Sequence, residues 1–162
     1  MLAVVTKTDG GYTARFERRL KHPVEKVWAF LTETEKLAKW FPELSIDDLR
    51  EGGVVKFDMQ DGTFEELKIL ELKPLKVFEY MWGEDQVRFE LYPEADGSCR
   101  LVLIEKIHKL TDHSPKDLAG WHVCLDVLAA VLDDREAKPH GEQWEKRYAE
   151  YAPIVSRLRD AA

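Results

Sequence analysis

His122 and Glu105 are ionisable residues within otherwise apolar stretches, and they are the residues best placed for chemistry. A histidine among apolar residues can bond a ligand or transfer protons, and burial can shift its pKa. More often, such a histidine is bonded in the core to a backbone carbonyl or a carboxylate. A buried carboxylate in turn needs a partner or must take up a proton. We therefore predict that Glu105 is the partner of His122.

Other chemistries lack the spacing that they require. His22, His108, His113 and His140 belong to no HExxH pattern and have no CxxC pattern beside them, so no metal site is predicted. The sequence contains no G-x-S-x-G turn, and its two cysteines lie in no motif that marks a nucleophile. The sequence therefore predicts no catalytic motif and no cofactor.

Composition and charge restrict the class of protein further. A chain of 162 residues is long enough to form one domain with a sizeable core. The formal net charge of -7 argues against binding to nucleic acid or to anionic membrane surfaces. No stretch reaches the roughly 20 apolar residues of a membrane span. Two cysteines without a secretory signal predict the reducing cytoplasm.

Residues 114–132 are the helix around which the other elements must be arranged. Ser114 is a candidate N-cap, and Pro115 suits the first helical position. Apolar residues recur on one face at Leu118, Trp121, Leu125, Leu128, Ala129 and Leu132, together with His122. The opposite face carries Val123, Val127, Ala130 and Val131. A helix that is apolar on both sides must be covered on both sides.

A meander of about six strands is the element that should cover one side of this helix. Alternating apolar residues and turn signals predict strands at 12–20, 54–59, 63–72, 76–82, 86–92 and 98–107, and residues 1–11 should be weakly ordered. Two short helices, at 23–31 and 34–41, follow the first strand. A last helix at 142–158, which Pro153 should bend or divide, is the candidate cover for the valine face. A dimer contact is the alternative role for that helix.

Three motifs in order carry a resemblance to a known family. They are Pro23-Val-Glu-Lys-Val-Trp28, Leu37-Ala-Lys-Trp-Phe41, and Gly120-Trp-His122 with Leu125-Asp126-x-Leu128. In residues 12–132 the chain resembles the SRPBCC domain, and more narrowly the bacterial homologues of the C-terminal domain of the heat-shock protein 90 ATPase activator. The resemblance implies the α+β helix-grip fold, related to START domains and to the birch-pollen allergen. In that fold a curved antiparallel sheet wraps a long C-terminal helix, with a cavity between them. Residues 142–158 depart from the family pattern.

The resemblance also implies which residues line the cavity. The expected lining, with Trp40 and Phe41 at its mouth, is Trp40, Phe41, Phe57, Met59, Phe64, Tyr80, Trp82, Phe89, Leu103, Glu105, Leu118, Trp121, His122, Leu125 and Ala129. A slip of one residue would turn a strand's inward row outward. The alternative is that these aromatic residues pack in the core and line no cavity.

Three functions are compatible with such a domain. The first is the binding of a small apolar or aromatic molecule, such as a lipid, sterol, flavonoid or polyketide-like compound. The second is an enzyme of the cyclase or hydrolase type, in which His122 or Glu105 acts as acid or base in the same cavity. The third is a protein-interaction module related to the chaperone ATPase activators, with a homodimer or a chaperone contact.

Overall fold

The computed structural model describes residues 1–162 and contains eight strands and four helices. In chain order, the elements are β1 (Val4–Thr8), β2 (Gly11–Leu20), α1 (Val24–Thr32), α2 (Thr34–Leu37), β3 (Leu44–Asp48), β4 (Val54–Asp58), β5 (Phe64–Lys73), β6 (Val77–Trp82), β7 (Asp85–Pro93), β8 (Cys99–Ile107), α3 (Ser114–Leu132) and α4 (His140–Asp160).

All eight strands form one antiparallel sheet in the order β1-β2-β8-β7-β6-β5-β4-β3. The expectation of about six strands was too low, because it missed the two edge strands. β1 pairs with β2 from Val4↔Arg15 to Thr8↔Gly11, so residues 1–11 are not weakly ordered. Both β1 and β3 are five residues long and largely exposed or half-buried, so neither carries a clear apolar alternation. Sheet pairing, rather than local pattern, creates them.

The concave face of the sheet holds α3, as the helix-grip prediction requires. Leu118, Trp121, Leu125 and Leu128 are buried on the helix, and inner-row residues such as Phe89 and Leu91 on β7 are buried against the core. The helix begins at Ser114, one residue earlier than the cap prediction, and the Ser114 hydroxyl accepts a hydrogen bond from the amide of Thr111. The N-terminal half of α3 lies toward one end of the concave face of the sheet. The first two turns of α3 therefore form part of an opening at that end.

Two short helices close part of that opening, as predicted. The indole of Trp40 donates a hydrogen bond to the carbonyl of Phe30 (2.8 Å), which ties the turn after α2 to the end of α1. Phe41 follows directly and brings its ring toward α3. None of the four helices has the length and apolar composition needed to cross a membrane.

The second side of α3 is covered by α4. Tyr151 and Val155 are buried, and the indole of Trp144 donates to the carbonyl of Lys116. The helix is longer than predicted and runs through Pro153 without dividing. Pro153 lies on the exposed side of α4, where the unpaired carbonyl one turn earlier can bond water, so the helix tolerates it.

Candidate functional site

Open space lies at the end of the sheet where the N-terminal half of α3 emerges. Two adjoining cavities there, of about 430 and 530 Å³, share the lining residues Phe57, Met59, Trp82, His113 and Asp117. We call this space the mouth groove. The sheet contributes its inner rows and the turn between β6 and β7, and α3 contributes the side that bears Asp117 and Trp121.

Four aromatic rings form the apolar wall of the mouth groove. The centroid of Trp82 lies 4.9 Å from that of Trp121 and 5.6 Å from that of Phe57, and Phe41 lies 5.4 Å from Trp121. Each ring comes from a different element, and the pairs are tilted or edge-to-face, as aromatic quadrupoles prefer. The wall is thus rigid and is assembled by tertiary packing.

The polar end of the groove is the carboxyl group of Asp117, which accepts a hydrogen bond from the indole of Trp82 (2.9 Å). Glu105 was expected to line the cavity, but it lines neither of these two cavities. It lies on the inner row of β8, opposite Ala14 and Val87, and is fully buried. Burial raises the pKa of Glu105 well above its ordinary value, and the nearby carboxyl groups of Asp117 and Asp85 add to the shift.

Burial therefore favours the protonated form of Glu105 over its carboxylate. Neither carboxyl oxygen of Glu105 has a hydrogen-bond partner in the protein. The groove itself holds one buried polar group without a partner: the indole N–H of Trp121, which is 2% exposed. Buried polar groups without partners are rare and mark sites where a ligand or water can bind.

His122 does not belong to this groove, and the predicted pair of His122 with Glu105 was wrong. His122 Nδ1 lies 2.7 Å from the hydroxyl of Tyr151, and that hydroxyl accepts the amide of Ala3 (2.8 Å). The Tyr151 hydroxyl therefore donates to Nδ1, and Nε2 carries the hydrogen, facing Asp126 at 3.7 Å.

Burial, and then the positive charges of Arg18 and Arg147, lower the pKa of His122 to about 3. It is a neutral residue of the core that joins α3 to α4 and to β1. The sequence could not show this, since Tyr151 comes from a helix outside the family pattern.

The remaining expected lining residues separate into groups. Phe41, Phe57, Met59, Trp82 and Trp121 line the mouth groove, with Met59 at its exposed rim. Six others are buried in the core and line none of the described cavities: Trp40, Tyr80, Phe89, Leu103, Leu118 and Leu125. For these six residues the alternative expectation applies: they pack in the core.

Phe64 and Ala129 lie away from the groove, contrary to expectation. Phe64 is 56% exposed and pairs with Asp58 on the outer face of the sheet, where the ammonium group of Lys56 lies over its ring. The inward row of β5 instead holds Leu67, so the period-two assignment slipped by one residue. Ala129 lines a separate cavity of about 350 Å³ between α3 and α4.

Sequence reasoning missed Asp117 as a site residue. It was interpreted only as a favourable acid in the first turn of a helix. Its position four residues before Trp121 places both side chains on the same side of α3, and this spacing was the available signal. Asp85 was missed as well, because a turn position gives no indication of what it faces.

The chain is similar to one family model and to several solved structures. The model described as "Activator of Hsp90 ATPase homolog 1-like protein" matches residues 21–133. A conserved protein of unknown function from Enterococcus faecalis is 25% identical, with 94% of this chain and 91% of that chain covered and a TM-score of 0.81.

CalU16 from Micromonospora echinospora is 21% identical, with 94% and 95% of the two chains covered and a TM-score of 0.73. The Aha1 dimer of Colwellia psychrerythraea is 22% identical, with 74% of this chain and 95% of that chain covered and a TM-score of 0.63. These two likenesses concern the fold alone. No curated protein matches the chain.

Proposed function

The chain belongs to the family of activator of Hsp90 ATPase homolog 1-like proteins, and from this premise we propose that it binds a small apolar or aromatic molecule in the mouth groove. A lipid, sterol, flavonoid or polyketide-like compound is the class that this groove suits. The observation that carries the proposal is an aromatic wall that contains a buried polar group without a hydrogen-bond partner, the Trp121 indole N–H.

Size and chemistry both support this proposal. The two joined cavities, of about 430 and 530 Å³, lie in the range of small-molecule sites, roughly 300–1,000 Å³. An aromatic wall supplies apolar contact area, and a few fixed polar groups orient a ligand. Since core side chains fill the space farther along α3, the ligand would lie at the mouth rather than along the whole helix.

A titration followed by amide and indole chemical shifts tests the proposal. The probes are oleic acid, cholesterol and naringenin, which stand for lipids, sterols and flavonoids. Binding should move the indole N–H signals of Trp82 and Trp121 and the amides of residues 117–124. A spectrum that stays unchanged with every probe would argue against a small-molecule site.

A matched pair of glycine substitutions separates groove binding from surface adsorption. Gly120 lines the groove, and a Cβ placed there meets no atom within 4 Å, so Gly120→Leu projects a side chain into the groove without a backbone clash. Gly141 is equally open but lies in the first turn of α4, outside the groove. Gly120→Leu should abolish the shifts, and Gly141→Leu should leave them unchanged.

Catalysis at the same groove is the second candidate, and the buried carboxyl group of Glu105, whose pKa is raised near Asp117, is the observation that favours it. A carboxyl group whose pKa is raised can act as a general acid. His122, the other residue expected to serve as acid or base, is excluded by its position against Tyr151. Mass spectrometry of each bound probe after incubation distinguishes turnover from binding.

A further inference from the structure

We propose that the ligand of the mouth groove is an organic cation, a protonated amine or quaternary ammonium group attached to an apolar or aromatic body. This inference rests on the proposed function and specifies its ligand class. It follows from the charges that line the groove, from one buried indole N–H without a hydrogen-bond partner, and from the aromatic wall.

Acidic side chains outnumber basic ones along the groove. Its lining contains Glu43, Glu65, Glu84, Asp85 and Asp117, against the lysines Lys109 and Lys116. None of these five carboxylates forms an ion pair with a lysine or an arginine. A concave site lined by one sign of charge, with apolar walls, concentrates ions of the opposite sign.

The outer face of the same sheet shows a different arrangement. There Arg88 pairs with Glu71 (2.8 Å), Glu79 (3.1 Å) and Glu90 (2.6 Å), and Lys106 pairs with Glu79 (2.8 Å). These three acids are neutralised by the protein itself. The negative charge of the groove is left for a ligand to neutralise.

The Trp121 indole is the independent observation that points to a ligand. Trp121 lines the groove, is 2% exposed, and its indole N–H has no hydrogen-bond partner. On the same side of α3, Asp117 is half-buried, and the only side chain that donates a hydrogen bond to its carboxylate is the Trp82 indole. A partly buried charge without a counter-ion is unfavourable, and one bound monocation would neutralise it.

The aromatic wall suits the same ligand. Trp82, Trp121 and Phe57 line the same cavity as Asp117, and aromatic faces attract ammonium groups, most strongly when these are desolvated. The unpaired Trp121 indole can donate to an oxygen on the body of the ligand. Carboxylate and ring thus act on the same end of the ligand, and an anionic ligand would meet repulsion there.

Three isosteric probes with one aromatic body test this inference. They are 2-naphthylmethylamine, 2-naphthylmethanol and 2-naphthoate, titrated at pH 7.5 and followed by the indole signals of Trp82 and Trp121. The amine should bind about tenfold more tightly than the alcohol at low salt, and the naphthoate most weakly. Raising the salt to about 0.3 M should narrow the difference, because screening acts on the charged probe.

Two substitutions test whether the carboxylate of Asp117 causes the preference for the amine over the alcohol. Asp117→Asn keeps an oxygen that can accept the Trp82 indole but removes a charge, so the preference for the amine over the alcohol should fall several-fold. Glu66→Gln removes a charge from the exposed outer face of β5 and should leave that preference unchanged.

The outcomes distinguish this inference from the proposed function. Equal affinities for the amine and the alcohol, or tightest binding of the naphthoate, would overturn the cation inference and leave the small-molecule site standing. A selectivity that survives Asp117→Asn would also overturn it. Absence of binding by all three probes would overturn both.

Discussion

The substitution Glu105→Gln tests whether a protonated carboxyl group lies at the inner end of the groove. Glutamine has the shape of a protonated glutamate and can donate its amide N–H to Asp117, but it does not titrate. In the folded protein, burial first, and then the nearby carboxyl group of Asp117, raise the pKa of Glu105 well above 4.5. In the unfolded chain the same carboxyl returns to the ordinary value, near 4.5.

The sign of the pH dependence follows from this difference. Above about pH 4.5 unfolding releases the proton of Glu105, so the stability that this group contributes is complete below that pH and falls as pH rises toward the folded pKa. The loss has a limiting slope of about 1.4 kcal/mol per pH unit. Glutamine at position 105 does not titrate, so the variant does not lose this stability. From about pH 5 upward, the free energy of unfolding of the variant relative to wild type should therefore increase by up to that roughly 1.4 kcal/mol per pH unit.

Urea denaturation of both proteins at intervals between about pH 5 and 8 measures the difference in the free energy of unfolding. Glu66→Gln, on the exposed outer face, controls for the removal of one negative charge. If the difference between Glu105→Gln and wild type does not change with pH, Glu105 keeps its ordinary pKa on folding, and the account of a pKa raised by burial is wrong. A difference that shrinks with rising pH would refute it as well.

Three further substitutions test the packing. Tyr151→Phe should lower the free energy of unfolding, measured with urea, by about 1–3 kcal/mol, because the buried amide and imidazole that the hydroxyl joins lose their hydrogen-bond partner. The control Tyr148→Phe should change it little. Equal effects of the two substitutions would contradict the role of the Tyr151 hydroxyl. Leu67→Ala should lower the free energy of unfolding by about 2–5 kcal/mol, and Phe64→Ala should lower it by less than about 1 kcal/mol. The reverse order would mean that β5 has the opposite register. Gly120→Ala should raise the free energy of unfolding by about 0.5–1 kcal/mol, since its Cβ meets no neighbour; a loss would indicate contacts that the structure does not contain.

Local pattern was sufficient for the elements that bury a regular face. Six strands, the two short helices and the helix Ser114–Leu132 were predicted because period-two or period-3.6 apolar residues and turn residues mark them in the chain. The same helix was expected to be covered on both sides, which α3 is, by the sheet and by α4. Motif order added the helix-grip arrangement, which the family match and the structural relatives confirm.

Tertiary structure alone decided which side chains meet. Edge strands β1 and β3 exist through pairing with a neighbour, and Phe64 faces solvent because register, not composition, selects the inward row. His122 bonds Tyr151 and Glu105 adjoins Asp117, because α4 and the first turns of α3 bring distant residues into contact. The sequence shows which residues are expected to be buried or to need a hydrogen-bond partner. The position of α3 between the sheet and α4 determines which partner each residue contacts, since such contacts depend on distances that no local spacing specifies.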